Sequence, residues 1–139
     1  MTAPWPYTFP SRAAEQLLGA PREVRIPRNG DRDLSFEGWR LGHAAGRKST
    51  APQTSGIDVD IYLTVGKRLV AHVCQWSLRE GGAGLAEDHR VAALESPSQA
   101  IDWLKQDNAG RLGYLSKRAW VQACLTWPGL RSEAVERME

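Results

Sequence analysis

The sequence predicts an α+β domain: an antiparallel sheet of about four strands with C-terminal helices packed on one face. Three observations carry this expectation. Ile57, Val59, Ile61, Leu63 and Val65 alternate with Asp58, Asp60, Tyr62 and Thr64, the period-two signal of a strand with one buried face. A second run, Leu69 to Leu78, follows Gly66-Lys67, which reads as a two-residue type II′ hairpin turn. Near the end, Trp120, Ala123, Cys124 and Trp127 recur at i, i+3, i+4 and i+7, the stripe of a helix lying on a core.

If Gly66-Lys67 is the whole loop, Leu63 faces Val70, Ile61 faces His72, Val59 faces Cys74 and Ile57 faces Trp76. Trp103, Trp120 and Trp127 are then expected to press on the face made by Ile57, Ile61, Val70 and Trp76.

The remaining elements follow in chain order, as one domain over residues 1–139. Trp5, Tyr7 and Phe9 stand among Pro4, Pro6 and Pro10, so residues 1–10 read as an extended arm. Ser11 caps a short helix, Arg12 to Leu18, closed by Gly19 and Pro21. Glu23 to Ile26 reads as a strand, Asn29-Gly30 as a turn, and Leu34 to Leu41 as a second strand. Its apolar phase changes at Gly38, the sign of a β-bulge.

Residues 42–56 are small and polar without periodicity and read as a flexible loop carrying His43, Arg47 and Lys48. Residues 79–88 read as a second flexible loop, without a phosphate-binding glycine pattern. His89 to Leu94 is expected as a further strand. Ser96 should cap the next helix, with Pro97 at its first position and Gln99 closing a capping box, and Asn108 to Gly110 should end it. Ser116 is expected to cap the helix that Pro128-Gly129 stops.

Composition narrows the function classes. The chain has 139 residues, 42% apolar and 24% charged, as in an ordinary globular domain. A net charge of +2 does not argue for nucleic acid. The start lacks an apolar signal core, and no apolar run is long enough to span a membrane. A cytoplasmic location with two reduced thiols, Cys74 and Cys124, is expected.

Candidate chemistry is thin. Asp58 and Asp60 share a strand face and would suit a metal-dependent hydrolase. No further acid and Lys follow at matching positions, and charges on an outer hairpin face also guard against edge pairing. His72 and Cys74 share a face and, with His89 and Cys124, could surround a metal. No CxxC or HxxxH spacing supports this, so a core histidine beside an inert thiol is expected, with no metal and no cofactor. Arg111 to Arg118 places Tyr114 among basic residues at a helix start, which suits phosphate contact. The helix beyond carries no Arg, Lys or Asn to read bases.

Glu23-Val24-Arg25-Ile26, Phe36-Glu37-Gly38-Trp39-Arg40-Leu41, the central hairpin, the Ser98-to-Trp103 helix start and the closing Glu136-Arg137-Met138-Glu139 together resemble the small bacterial EXLDI family. The closing motif has Met138 where the family has Leu and Glu139 where it has Asp, and it lacks the final Ile. The resemblance covers most of residues 23–139, implies the same α+β layout, and implies no catalytic residues.

The expectation is therefore a non-enzymatic protein-binding module, of the kind carried by plasmids or phages as accessory or inhibitor proteins. Its partner would be a protein, in the most concrete version a nucleoprotein complex of bacterial defence (CRISPR or restriction) that it blocks or remodels. Trp5, Tyr7, Trp39 and Tyr62 are the expected anchors, because large aromatics dominate interface energetics, with Arg47 and Lys48 steering. The alternative is a nucleic-acid-binding accessory protein using Arg47, Lys48, Arg111, Lys117 and Arg118.

Overall fold

The computed structural model describes residues 16, 18–50, 53–78, 84–106, 110–133 and 138. The expected anchors Trp5 and Tyr7, and the arm that carries them, lie outside the described residues. The fold is α+β, as the alternation and the helical stripe imply. Among the described residues, five strands form one antiparallel sheet in simple sequence order: β1 (Arg22–Ile26), β2 (Leu34–Thr50), β3 (Gln53–Thr64), β4 (Leu69–Leu78) and β5 (Leu85–Leu94). Three helices follow: α1 (Pro97–Lys105), α2 (Tyr114–Thr126) and the single turn α3 (Gly129–Glu133).

The β3–β4 hairpin is present, but its loop is one residue longer than the sequence suggested. Thr64 and Arg68 close it, with Lys67 N donating to the Thr64 carbonyl at 2.9 Å and Thr64 N donating to the Arg68 carbonyl at 2.9 Å. Lys67 sits at φ 66°, in the left-handed region. This is the three-residue hairpin loop in which a turn is followed by a left-handed residue. That position usually takes glycine, and here lysine fills it.

The extra residue shifts the register by one. Leu63 pairs with Leu69, Ile61 with Ala71, Val59 with Val73 and Ile57 with Gln75. A slip of one residue turns every side chain of β4 over. Val70, His72, Cys74 and Trp76 therefore share a face with Tyr62, Asp60 and Asp58, not with Ile61 as expected.

One face of the sheet holds the helices. Its core joins Trp39, Leu41, Ala44, Val59, Ile61, Leu63, Leu69, Ala71 and Val73 to Ala100, Leu104, Ala119, Trp120, Ala123, Trp127 and Leu130. Trp120 and Trp127 press on this face as expected, and Trp103 packs at its margin, whereas Ile57 is 36% exposed beyond it. The opposite face is also buried along its middle, at Ile26, Val70, His72 and Cys74. The curl of the sheet accounts for this. Asn29, in the β1–β2 connection, hydrogen-bonds Asp88 through its amide and accepts from His89 N at 2.9 Å, so β1 is folded round toward β5 at the far end of the strand order.

Residues 42–56 are a correction. Of these, 42–50 belong to β2 and 53–56 to β3, which run paired out to Thr50 and Gln53. The small residues that looked like a flexible connector make room for a helix. Gly42, Ala44 and Gly46 alternate on the helix face, where Ala119 and Ala123 approach Gly42 and the Leu115 side chain approaches Gly46. The bulge lies at Leu41, between Arg40 and Gly42, and not at Gly38. It lets Trp39 and Leu41 share one core while Phe36 and Arg40 look the other way. The Gln122 side chain pins the helix just beyond the bulge by accepting from His43 N at 2.6 Å.

β5 begins at Leu85, four residues earlier than expected, and takes 85–88 out of the second predicted loop. Gly19 closes a helical stretch at Leu18 with φ 79°, as expected for a C-terminal stop. Ser96 caps α1 by accepting from Gln99 N at 3.2 Å, and the Gln99 side chain returns to Glu95 N at 2.9 Å, one residue earlier than a standard capping box. Gly113, not Ser116, is the N-cap of α2, and no side chain caps it.

Candidate functional site

The register places a row of polar groups on the inner face of the curled sheet, across β2 to β5. Its first part is an ion cluster. Asp60 is 8% exposed and takes a 2.7 Å contact from His43 Nδ1, with Arg40 at 3.6 Å from the same oxygen. Tyr62 lies beside them with its ring edge-on to Phe36, centroids 5.5 Å apart. Burial, and then the Asp60 carboxylate, push its phenol up to about 12. Tyr62 is thus a packed aromatic that keeps its proton, half-buried where an interface anchor was expected. Asp58 and Asp60 do share a face, but Asp60 is committed to His43 and Arg40.

The second part lies on β4 and β5. His72 Nε2 and His89 Nδ1 are 2.9 Å apart, the two rings meeting edge to edge with their planes within 16° of each other. Burial, and then His89, hold His72 below the ordinary histidine range, so it remains a neutral imidazole. The other nitrogen of His89, Nε2, is 3.3 Å from Glu87 Oε2 and 4.0 Å from Cys74 Sγ, and Cys74 Sγ is 3.7 Å from Glu87 Oε2. Burial first and Glu87 second raise the Cys74 thiol to about 11. Of the four residues weighed as a metal set, the structure brings together Cys74, His72 and His89 and leaves Cys124 on α2, beyond the sheet. Glu87 is the member that sequence reading missed. Its signal was Glu87-x-His89 at strand spacing, hidden because β5 was started at His89.

The inner row ends at Trp76. Its ring lies over Gly56, where a Cβ would meet ring carbons, and the Arg47 guanidinium sits 5.9 Å from the ring centroid. Arg47 is therefore engaged with an aromatic of the same sheet face. Lys48 lies in β2, and its side chain is not among those described. Trp39 is a correction. It is 8% exposed in the helix-side core and donates from Nε1 to the Gly19 carbonyl at 2.8 Å, so it holds the domain together and offers no contact surface.

The outer face of α2 is different. Tyr114 is 74% exposed, Val121 49% and Leu125 78%. They fall at i, i+7 and i+11, one side of the helix. Lys117 and Arg118 flank them, Arg118 lying 5.7 Å from the Tyr114 ring centroid, and together with His43 and Gln122 they line a shallow groove. From Gly110 to Arg131 the chain holds Arg111, Lys117, Arg118 and Arg131 and no acidic residue. Among the described residues, no helix is long and apolar enough to cross a membrane. No family model, curated protein or solved structure matches the chain.

Proposed function

We propose that this chain is a protein-binding module whose docking surface is the outer face of α2, and that its partner presents an acidic, partly apolar protein surface. The carrying observation is the exposed line of Tyr114, Val121 and Leu125 on a helix whose own stretch of chain, Gly110 to Arg131, holds four cations and no acid. Large apolar side chains on a monomer surface are ordinary when scattered, and a contiguous line with a polar rim marks an interaction site. Tyr114 takes the anchoring role first expected of Trp39 and Tyr62, because aromatics give contact area at small entropic cost. Lys117 and Arg118 steer the approach of an acidic partner. Phosphate backbones would use the cations but gain nothing from Val121 and Leu125, which favours a protein over nucleic acid. Inhibition by occlusion, as of a bacterial defence complex, is the mode of action that this reading supports, because a bound partner would cover α2 without needing any reacting group.

The test compares proteins retained from a host lysate by immobilised wild type, Val121→Glu, Leu125→Glu and Leu85→Glu chains. Leu85, 54% exposed on edge strand β5, is the control. An acidic protein retained in stoichiometric amount by wild type and Leu85→Glu, and lost from both α2 variants, is the expected result. Identical retention by all four chains contradicts it. So does recovery of nucleic acid that the α2 glutamates leave unchanged.

A further inference from the structure

The inner face of the sheet carries a second site, independent of the α2 surface. We propose that Cys74, Glu87 and His89 bind a thiophilic divalent transition-metal ion of the zinc class, with His72 orienting His89. The three donor atoms come from adjacent strands: Cys74 on β4 pairs directly with His89 on β5, and Glu87 stands two residues before His89 on the same face. They lie within 4.8 Å of one another.

Their spacing is that of a coordination sphere. Tetrahedral zinc with bonds of about 2.3 Å to sulfur and about 2.0–2.2 Å to nitrogen and oxygen holds S and N about 3.6 Å apart, S and O about 3.6 Å, and N and O about 3.4 Å. The observed separations are 4.0, 3.7 and 3.3 Å, so closing onto an ion requires shifts of only a few tenths of an ångström. A thiolate, an imidazole and a carboxylate form a mixed donor set that suits zinc and its neighbours over magnesium or calcium. Three protein donors leave one tetrahedral position for solvent, on the side where Glu87 is exposed.

Two further features point to a cation. A metal-ligating histidine almost always donates its other N–H to an acceptor that fixes the ring. His72 Nε2, 2.9 Å from His89 Nδ1, is placed to be that acceptor, which leaves His89 Nε2 directed at Cys74 and Glu87. The local charge is also negative: Asp58 lies opposite Cys74 on β3, Asp88 is adjacent to the site, and the fields of both act on the thiol along with that of Glu87. On binding, Cys74 coordinates as thiolate and its proton passes to bulk water.

The test titrates the purified full-length chain with Co²⁺ as spectroscopic probe and then adds Zn²⁺. The expected result is one Co²⁺ per chain, a thiolate-to-cobalt charge-transfer absorption with the intense visible bands of a tetrahedral site, and bleaching by Zn²⁺. Cys74→Ser abolishes the charge-transfer band and Cys124→Ser leaves it intact. Glu87→Gln, on an exposed side chain, weakens Co²⁺ binding. His72→Gln, which leaves all three donors in place, weakens it about 10–100-fold. A wild-type chain without the charge-transfer band overturns the proposal. So does a band that survives Cys74→Ser, or an affinity that neither Glu87→Gln nor His72→Gln changes.

Discussion

Gly42→Val is expected to destabilise the domain by about 3 kcal/mol or more, at or above the top of the usual range for overpacked cores. Gly42 stands where β2 passes closest to α2. A Cβ there would fall on the Ala119 carbonyl oxygen and come within 3.0 Å of the Ala123 Cβ and backbone nitrogen. These are backbone atoms and a methyl group, none of which can swing aside, so the helix as a whole must back away. That movement would break the 2.6 Å bond from His43 N to Gln122 and open the core around Trp120. Native domains are stable by only about 5–15 kcal/mol, so a large part of the total is at stake. The check is urea denaturation: a much lower midpoint with little change in slope is expected. A midpoint within error of wild type would mean that α2 does not lie on β2 as described.

Ile61→Ala is expected to cost about 2–5 kcal/mol, the range for a large aliphatic removed from a core that cannot collapse. Ile61 has no exposed surface, pairs with Gly42 and Ala71 across the sheet, and belongs to one packed cluster with the helix residues. Ile57 lies on the same strand face four residues earlier but is 36% exposed, because the helices cover only the C-terminal half of β3. Ile57→Ala should therefore cost below about 1 kcal/mol. Equal losses in the two variants, compared in the same denaturation experiment, would contradict this placement of the helical layer.

The contrast between these two isoleucines shows what a period-two pattern can and cannot convey. Alternation located β3 and β4 and the face that each residue shares along its own strand. It did not reveal where along that face the helices lie. Nor did it fix how the two strands match, because that depends on a single backbone angle at Lys67. Gly66-Lys67 has the composition of a two-residue turn, and the left-handed position fell on the lysine. That one residue moved His72, Cys74 and Trp76 from the helix side to the inner face, where they meet Asp58 and Asp60 across β3.

The stretch from Gly42 to Gly56 misled for a different reason. Small residues are selected both by flexible connectors and by strands that a helix approaches closely, and composition alone does not separate the two. Local signals were more legible where the chemistry is local. Ser96, Pro97 and Gln99 marked the start of α1, because a cap is made within a few residues. Trp39 looked like an interface anchor for want of the one fact that decides it, its bond to the Gly19 carbonyl across the fold. The exposed line on α2 was visible only in part. The stripe of Trp120, Ala123 and Trp127 marked the buried side, whereas Tyr114, Val121 and Leu125 are too widely spaced to stand out until the opposite side is known to be covered.

The face on which Cys74, Glu87 and His89 lie, and with it the separation of an inner polar face from a helix-bearing one, depends on the pairing of β3 with β4. Cross-strand nuclear Overhauser contacts in the labelled chain measure that pairing directly. Contacts that join Val59 to Val73 and Ile61 to Ala71 are expected from the register. Contacts that instead join Val59 to Cys74 and Ile61 to His72 would return those side chains to the helix side and contradict it.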